Sequence, residues 1–528
     1  MRVEWSFAVF TTLFWGAAVA QNVLEFNLNK GFPGVRVGVT PRISRRDTHV
    51  GTLVNNITGG AYYIDALIGT PGQRVSMILD TGSSDAWVVS PVADLCRSTR
   101  LQEYYQQSCY GTYSATDSKT FELISRNTFD IMYLDGGGAA GDFIADDFTI
   151  AGTTIKSLQM GYAKRTSRGT GILGIGFNSS VSADKPYPNI IDELQNQGKI
   201  ATKAYSLYLN DRRSDTGSIL FGGIDRSKFI GPLTILPILK PNNTKIPRSF
   251  EVEFTSLTVE STSGPLTISA PTTYDNSPFP AVLDSGSTLS YIPDQMAQQV
   301  FKKLGVITDT QFTGLSLIDC AYLKSNLTMT FQFLTAAISV PVWEMVLDHL
   351  LEGYEHLIPK QTSKSFSDVC IFGLQSTGTF EDDGVKTIDF ALLGETFLRS
   401  AYVVYDLTHH EIGMAQANMN ETGTDIVEFK STDKSIPTLT GVAAQQTTNP
   451  PRGSGTGTNG QPDGTGSSSG GGGGPATHTV TVIASPDNNA AGYGSRQGLL
   501  PGGGGGEALA VLSFWCLFAM VGGAVMVL

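Results

Sequence analysis

Hydrophobic and polar positions along this 528-residue chain predict several local elements. Residues 327–333 alternate polar and apolar side chains, which predicts a strand with one exposed face. Residues 75–79 and 279–283 are largely apolar, which is typical of buried strands, and residues 70–73 (Thr-Pro-Gly-Gln) predict a hairpin turn before the first of them. Residues 342–357 favour a helix. Each apolar run leads directly into an acidic residue.

Both apolar runs end at an aspartate that is followed by a small hydroxyl residue and a glycine. The first triplet is residues 80–82 (Asp-Thr-Gly), and the second, far downstream, is residues 284–286 (Asp-Ser-Gly). A carboxylate at the end of a buried strand costs free energy, so its presence points to a function. One such triplet is a common turn, but two after matching apolar runs indicate two copies of one half-site.

Asp80 and Asp284 could act together if the fold brings them face to face. Two carboxyls that close together cannot both ionise, so they would share one proton over a wide pH range. The pair could then take a proton from a water and polarise a peptide carbonyl, which is hydrolysis without a covalent intermediate. Donors that could orient the two carboxyls follow each aspartate, namely Gly82, Ser83, Gly286 and Ser287.

Five motifs, in this order, resemble the pepsin family of aspartic endopeptidases. They are residues 80–84 with Trp87, residues 169–176 (Gly-Thr-Gly-Ile-Leu-Gly-Ile-Gly), 217–225, 284–288 and 393–406. The resemblance covers most of the chain and implies an all-β, bilobal fold with pseudo-twofold related lobes and a cleft between them. It also implies that Asp80 and Asp284 form the catalytic dyad, that polypeptides bind extended across the cleft, and that no cofactor takes part. With the terminal signals described below, the chain looks most like the fungal yapsin-like branch, which is glycolipid-anchored.

Residues 129–138 (Phe-Asp-Ile-Met-Tyr-Leu-Asp-Gly-Gly-Gly) are similar to the flap of that family, a hairpin that covers bound peptide. By this similarity Tyr133 is the flap tyrosine, and the closing hairpin excludes water from the reaction. Leu134 stands where the family usually has glycine. Asp135, beside the expected P1 pocket, could pair with a Lys or Arg of the substrate, or could point into solvent from the turn.

Charge, histidines and cysteines narrow the class of protein further. The formal net charge of −12 argues against nucleic acid as a partner and suits a protein that works in acid. Six scattered histidines, without Cys/His spacing, give no case for a metal site. We expect disulfides between Cys96 and Cys109 and between Cys320 and Cys370, the alternative being four buried free thiols. N-glycosylation sequons begin at Asn56, Asn178, Asn242, Asn326 and Asn420.

The first 46 residues have the pattern of a secreted precursor. Residues 1–20 have one arginine, an apolar stretch and a final Ala-Val-Ala, which predicts a signal peptide, with a signal anchor as the alternative. Residues 21–46 then form a propeptide that ends in Arg45-Arg46, a dibasic pair suited to a Kex2-like processing protease. By similarity to the family, Lys30 or the nearby arginines could neutralise the two acids in the precursor.

The chain ends in a polar region followed by an apolar segment. Residues 431–507 are rich in Gly, Ser, Thr, Pro and Asn, which predicts a flexible, O-glycosylated stalk that cannot bury enough apolar surface to fold. Residues 508–528 and the small residues before them match a glycosylphosphatidylinositol (GPI) attachment signal. Asn489 is the predicted attachment residue, with Gly494 as the alternative. A transmembrane helix over residues 508–528 is the other interpretation.

These features predict two catalytic lobes, residues 47–234 and 235–430, in a monomer that hydrolyses peptide bonds at acid pH. We expect it to travel through the secretory pathway to the cell surface, at the plasma membrane or in the wall. One rival is a catalytically inactive member of the same fold that serves as a binding or adhesion module. Another is a soluble secreted or vacuolar protease whose tail is cut away.

Overall fold

Strands are the main regular structure in the part of the chain that the computed structural model describes, which is residues 23–30, 61–105, 107–214, 216–240, 246–261, 263–273, 277–309, 314–348, 365–378 and 390–444. The described residues all fall within one structural unit of the chain. The predicted signal peptide and terminal apolar segment lie outside them, as do residues 445–507 of the predicted stalk, most of the propeptide, and Asn56, Asn242, Asn489 and Gly494. Residues 431–444, the beginning of the predicted stalk, are described and pack on the fold: Ile436 is buried, and Leu233 N donates to Leu439 O at 2.9 Å. The predicted boundary at residue 431 is therefore too early.

The strands are short and follow one another closely along the chain. In the first half they are β1 Leu24–Lys30, β2 Tyr62–Ile68, β3 Gln73–Asp80, β4 Ala86–Val89, β5 Glu122–Met132, β6 Gly138–Ile150, β7 Thr153–Thr166, β8 Gly171–Gly174, β9 Ala204–Tyr208, β10 Thr216–Phe221, β11 Gly223–Asp225 and β12 Phe229–Pro237. In the second half they are β13 Glu251–Glu253, β14 Ser256–Val259, β15 Leu266–Ser269, β16 Pro280–Leu283, β17 Ser290–Ile292, β18 Ile307–Thr308, β19 Ser316–Asp319, β20 Thr328–Phe333, β21 Ala336–Pro341, β22 Val346–Leu347, β23 Val369–Phe372, β24 Leu374–Ser376, β25 Ala391–Leu393, β26 Ala401–Asp406, β27 Glu411–Ala417 and β28 Ile426–Glu428.

The helices connect strands and cover the sheets. They are α1 Asp94–Arg97, α2 Thr99–Tyr105, α3 Ile190–Asn196, α4 Asp294–Leu304 and α5 Glu395–Leu398, with 3₁₀ turns at Ala115–Asp117, Asn178–Ser180, Arg226–Lys228, Cys320–Lys324 and Val342–Met345. The apolar positions of α4 recur at helical spacing and form its buried face: Met296, Ala297, Val300, Phe301 and Leu304. Gly305, at φ 72°, ends α4 because its left-handed backbone lets its N–H donate to the carbonyl of Phe301. No helix in the described part of the chain is long and apolar enough to cross a bilayer.

Two predictions from the hydrophobic pattern are confirmed and one is wrong. The turn at residues 70–73 joins β2 and β3 as a hairpin, and β20 alternates half-buried and buried side chains. The predicted helix at residues 342–357 is instead a 3₁₀ turn followed by β22, and the remainder of that prediction lies outside the described residues. β22 pairs with β23, so strand pairing across the fold overrides the local preference.

The two halves of the chain repeat one arrangement of strands. β3 pairs in parallel with β8, which pairs antiparallel with β4, and β16 pairs in parallel with β25, which pairs antiparallel with β17. Asp80 lies opposite Gly174 at the end of the first parallel pair, and Leu283, just before Asp284, lies opposite Leu393 at the end of the second. The predicted all-β, bilobal fold with pseudo-twofold related lobes is therefore confirmed.

A continuous sheet of 13 strands joins the two halves, in the order β12-β27-β26-β9-β10-β1-β2-β3-β8-β4-β7-β6-β5. The join is the antiparallel pair of β26 and β9. Beneath it, the rings of Tyr205 and Tyr405 stack with their centroids 4.9 Å apart, and Phe250 meets Tyr405 edge to face at 4.7 Å. This buried aromatic layer supports the region where the two aspartates lie, because rings of this size bury large apolar areas.

The first strand comes from the predicted propeptide. β1 pairs along its length with β10, from Leu24 opposite Phe221 to Asn29 opposite Thr216, and its last two residues pair with β2. A segment upstream of Arg46 thus fills an interior position of the main sheet. Cleavage after Arg46 would remove the covalent connection between β1 and the rest of the sheet.

Candidate active site

Two buried carboxyls meet where β3 and β16 end. Asp80 is the last residue of β3, and Asp284 directly follows β16, so each strand delivers one acid. Both residues are 0% exposed, and they lie close enough that each shifts the pKa of the other. The structure therefore brings together the two acids that the sequence placed far apart along the chain.

Each carboxyl receives the same pair of donors. Gly82 N donates to one oxygen of the first carboxyl at 2.7 Å, and Ser83 Oγ donates to the other. In the second half, Gly286 N donates to one oxygen of Asp284 at 2.8 Å and Ser287 Oγ to the other at 2.6 Å. All four donors predicted from the sequence lie at the site, and they fix the orientation of both carboxyls.

Burial raises the pKa of both carboxyls above the ordinary range. For Asp80 the charge of Asp284 adds to the effect of burial, and the hydrogen bond from Ser83 opposes it only in part. For Asp284 burial is again the largest cause, and hydrogen bonds from Ser287 and Asp80 counteract it in part. Because the two groups interact directly, their protons leave in two separate steps that belong to the pair. One carboxyl can thus be ionised while its partner stays protonated.

Reciprocal hydrogen bonds between the second residues of the two triplets hold the halves together. Thr81 N donates to Ser285 Oγ at 3.1 Å, and Ser285 N donates to Thr81 Oγ1 at 2.9 Å. The two hydroxyls then donate across the interface, Thr81 to Leu283 O at 2.8 Å and Ser285 to Leu79 O at 2.9 Å. Our sequence reasoning missed this role, although the signal was present: the two hydroxyl residues occupy equivalent positions in two matching triplets.

Two glycines allow the backbone to approach behind the carboxyls. A Cβ at Gly174 would lie 2.7 Å from the backbone N and O of Asp85, and one at Gly394 would lie 2.3 Å from Leu289 O and 2.4 Å from Ser287 O. Any side chain at either position would push the chain away from the site. This close approach explains a glycine in the 169–176 motif and another in the 393–406 motif.

The predicted flap is the hairpin between β5 and β6. Tyr133 is 1% exposed, and its hydroxyl accepts a hydrogen bond from Trp87 Nε1 at 2.7 Å. Burial, and then the charge of Asp80, raise the pKa of the Tyr133 hydroxyl, which places this tyrosine close to the carboxyl pair. Leu134, where a glycine was expected, packs against an apolar cluster of the second half that includes Leu289 and Leu392. The flap therefore reaches from one half of the molecule to the other.

The structure contradicts one of the two interpretations of Asp135 and adds an internal partner that the other did not include. Its side chain is 4% exposed, so it does not point into solvent. Its carboxylate is already occupied, because Arg168 Nη2 donates to Oδ2 at 2.6 Å and Gly137 N donates to Oδ1 at 2.9 Å. Our sequence reasoning missed Arg168 entirely, since no local pattern connects two residues that lie 33 positions apart.

A third carboxyl near the flap was also missed. Asp85 is 0% exposed and accepts hydrogen bonds from the Tyr187 hydroxyl at 2.6 Å and from Ser182 N at 2.8 Å. Burial raises the pKa of the Asp85 carboxyl, and the hydrogen bonds offset this in part. The described residues include no cluster of His, Cys, Asp and Glu arranged to hold a metal ion.

Both predicted disulfides are formed. Cys96–Cys109 closes a loop that packs against the cluster containing Trp87 and Tyr133, and Cys320–Cys370 joins a 3₁₀ turn to β23. The first disulfide thus braces the protein beside the flap.

The three predicted glycosylation residues that the structure describes lie at accessible positions. Asn326 and Asn420 are exposed, and Asn178 is half-buried. The Asn420 side-chain amide donates to Asp211 Oδ2 at 2.8 Å.

Comparisons with known proteins agree with this site. The family model described as eukaryotic aspartyl protease matches residues 61–417, which include both aspartates. A probable aspartic-type endopeptidase of Aspergillus fumigatus, opsB, is 34% identical over 79% of this chain and 81% of its own length. Barrierpepsin of Saccharomyces cerevisiae is 31% identical over 71% of this chain and 63% of its own length. Candidapepsin-2 of Candida parapsilosis is 32% identical over 69% of this chain and 77% of its own length.

Replacing Asp284 by asparagine should stabilise the protein at neutral pH and not in acid. Because the folded-state pKa is raised, the stability linked to this carboxyl is complete below its unfolded value of about 4 and is lost as the pH rises through the folded value. The difference in melting temperature, Asp284→Asn minus the unsubstituted protein, should therefore be a few degrees larger at about pH 7 than at about pH 4. A difference that does not change with pH would contradict the raised pKa, and Asp117→Asn at an exposed position is the control.

Replacing Thr81 by valine should destabilise the protein by about 1–3 kcal/mol, because the buried partners of its hydroxyl lose their hydrogen bonds at nearly unchanged side-chain volume. Denaturant unfolding measures the loss. Thr267→Val, at an exposed strand position, should cost much less. Equal costs at the two sites would show that the reciprocal bonds do not stabilise the junction of the halves.

Proposed function

The chain belongs to the eukaryotic aspartyl protease family and is an aspartic endopeptidase, and we propose that Asp80 and Asp284 hydrolyse its polypeptide substrates through one shared water. The observation that carries this proposal is the symmetrical pair of buried carboxyls at the ends of β3 and β16, each held by the same set of donors. Ser83 and Ser287, with the backbone N–H groups beside them, orient the two acids.

The reaction begins with one carboxyl ionised and the other protonated. The ionised carboxylate takes a proton from the water as its oxygen attacks the peptide carbonyl carbon, and the protonated partner donates its proton to the carbonyl oxygen. In the second step one carboxyl donates a proton to the amide nitrogen, while the other takes one from a hydroxyl of the tetrahedral intermediate. The C–N bond then breaks, the acid and amine products leave, and the pair again holds one proton.

Acid pH suits this mechanism for two reasons. One of the two carboxyls must keep its proton, and burial raises the pKa of both, so the reactive state spans mildly acidic conditions. The formal net charge of −12 at pH 7 also falls in magnitude in acid as carboxylates are neutralised, which weakens the repulsion within the folded chain.

The flap supplies a cover for the bound peptide. The hydrogen bond from Trp87 to Tyr133 and the packing of Leu134 on the second half hold the hairpin over the carboxyl pair. Closure over a substrate excludes bulk water and keeps the attacking water between the acids. Acceptance of a basic P1 residue through Asp135 would require that the ion pair with Arg168 opens.

We also propose that the protein is made as a zymogen. A Kex2-like protease would cut after Arg46, between β1 and β2, at the dibasic pair. The pairing of β1 with β10 and β2 supports a role for this segment in folding the precursor, since it completes the main sheet before processing. After the cut, backbone hydrogen bonds alone would hold β1 in the sheet.

The proposed destination is the cell surface. The predicted signal peptide at residues 1–20, the polar region at residues 445–507 and the terminal segment at residues 508–528 support secretion and GPI attachment at Asn489, with retention in the plasma membrane or wall. N-glycans on accessible sequons such as Asn326 and Asn420 fit the same route. The protein is proposed to act there as a monomer.

The rival functions are separable from this one. A catalytically inactive binding module would have no use for two buried carboxyls that raise the free energy of the folded state, so the intact pair favours the enzyme. A soluble secreted or vacuolar protease differs only in the fate of the tail.

Asp80→Asn should lower kcat/KM by about a thousandfold or more, because the carboxylate that takes the proton of the water is lost. The measurement is cleavage of a peptide library by the purified mature protein at pH 4. A statine-type peptide should block the unsubstituted enzyme, and Asp117→Asn should keep full activity. Unimpaired cleavage by Asp80→Asn would refute the assignment, and no cleavage of any peptide by the unsubstituted protein would favour the binding module.

Phosphatidylinositol-specific phospholipase C should release the protein from isolated membranes, because the proposed anchor joins it to lipid only through the cleaved bond. Immunoblotting of supernatant and pellet gives the result, and a chain lacking residues 508–528 should be secreted without treatment. Protein that stays in the pellet after phospholipase treatment but dissolves in detergent would favour a transmembrane helix instead.

A further inference from the structure

A nearly buried cation lies beside the carboxyl pair. Arg168 follows β7, its side chain is 13% exposed, and its Nη2 donates to Asp135 at 2.6 Å. Its guanidinium carbon lies 5.1 Å from the centroid of the Tyr133 ring, within range of a cation–π contact. The charges of Asp135 and Asp80 both act on this arginine. Arg168 therefore belongs to the surroundings of the reacting groups.

Hydrogen bonds to the backbone of Arg168 and of the next residue hold the arginine in this position. Arg168 N donates to Thr166 Oγ1 at 2.9 Å, and that hydroxyl donates to Arg168 O at 3.0 Å. The next residue, Gly169, accepts a bond from Tyr110 N at 2.7 Å, and a Cβ there would meet Ser108 O at 1.8 Å. The loop closed by the Cys96–Cys109 disulfide thus fixes the turn that carries the arginine.

Gly137 of the flap lies next to the ion pair and has no side chain that would fill its space. A Cβ at Gly137 would lie 2.9 Å from Ser167 Oγ and 3.1 Å from Asp135 Oδ1, so a side chain at this position would crowd the carboxylate of the ion pair. Ser167 also binds the flap backbone, accepting from Gly138 N at 2.9 Å. The ion pair is therefore built into the hairpin.

The ion pair lies at the flap tip, which the resemblance to the pepsin family places beside the P1 pocket. Asp135 directly follows Leu134, which packs against the apolar cluster that includes Leu289 and Leu392 of the second half, and the charge of Asp135 also acts on Tyr291 in that half. The flap tip therefore reaches from the first half to the second, with the ion pair beside the ring of Tyr133.

We propose that Arg168 is a specificity-determining residue, which occupies the Asp135 carboxylate and makes the enzyme disfavour Lys and Arg at P1. This inference rests on the proposed function. A basic P1 side chain would bring a second cation next to a nearly buried arginine and would lose water without gaining a free carboxylate. A neutral, apolar P1 side chain has neither cost, and it could pack against Tyr133 and Leu134 of the flap.

The first test needs no substitution. Matched peptides that differ only at P1, with lysine or with Nε-acetyl-lysine, have similar length and shape but differ in charge. The unsubstituted enzyme should cleave the acetyl-lysine peptide at least about tenfold faster by kcat/KM, a difference of about 1.4 kcal/mol. Equal rates, or faster cleavage after lysine, would overturn the proposal.

The second test frees the carboxylate. Arg168→Leu should raise the ratio of kcat/KM for P1 lysine to that for P1 leucine by about tenfold or more, because a charged hydrogen bond to Asp135 becomes available to the substrate. Arg168→Lys should leave the ratio low, and the double variant Arg168→Leu/Asp135→Asn should lose the gain. Arg165→Leu, at an exposed position of β7, is the matched control and should change nothing.

The pattern of rates separates the possible outcomes. If Arg168→Leu changes kcat/KM for lysine and leucine peptides by the same factor, the ion pair only holds the flap, and the role in specificity is refuted. If the ratio rises but the double variant keeps the rise, Asp135 is not the group that binds lysine, and the proposal is also refuted. Failure of the unsubstituted protein to cleave any peptide would instead refute the proposed function itself.

Discussion

Four hydrogen bonds between Thr81 and Ser285 and the carbonyls beside them are the constraint on which the rest of the structure depends. They lock together two residues that lie 204 positions apart in the chain, and each sits next to a buried carboxyl. Bonds of this kind are strong between buried groups, because a buried donor or acceptor that lost its partner would cost the full desolvation penalty. The parallel strand pairs, the close-approach glycines and the aromatic layer below the site all serve to place these two turns back to back.

Much of this arrangement could be predicted from the sequence because it depends on local patterns of residues. The apolar runs before Asp80 and Asp284, the turn at residues 70–73 and the alternation in β20 each depend on neighbours in the chain, and the structure has them where expected. The bilobal fold followed from the resemblance carried by the motifs, and the pairing of cysteines followed from their positions in a chain with a secretory signal.

The remainder depends on contacts that no local pattern encodes. The 3₁₀ turn and β22 replace a predicted helix because β23, far along the chain, offers a strand partner. Arg168 meets Asp135 only after β6 and β7 have folded back beside the flap. An isolated aspartate in a glycine-rich turn gives no sign of whether its partner is solvent, substrate or an internal arginine. The site thus combines a carboxyl pair, evident from repetition in the sequence, with an internal ion pair that only the fold assembles.

The central claim, that two carboxyls share one proton, is tested most directly by the pH dependence of kcat/KM for a peptide with no group that titrates between pH 2 and pH 8. A bell-shaped profile is expected, since the rate falls in strong acid when both carboxyls are protonated and toward neutral pH when both are ionised. Return of the enzyme to acid after each incubation shows whether the fall toward neutral pH is reversible titration. A rate that rises through a single ionisation to a plateau at neutral pH would contradict the shared proton, because one carboxylate would then suffice as the base.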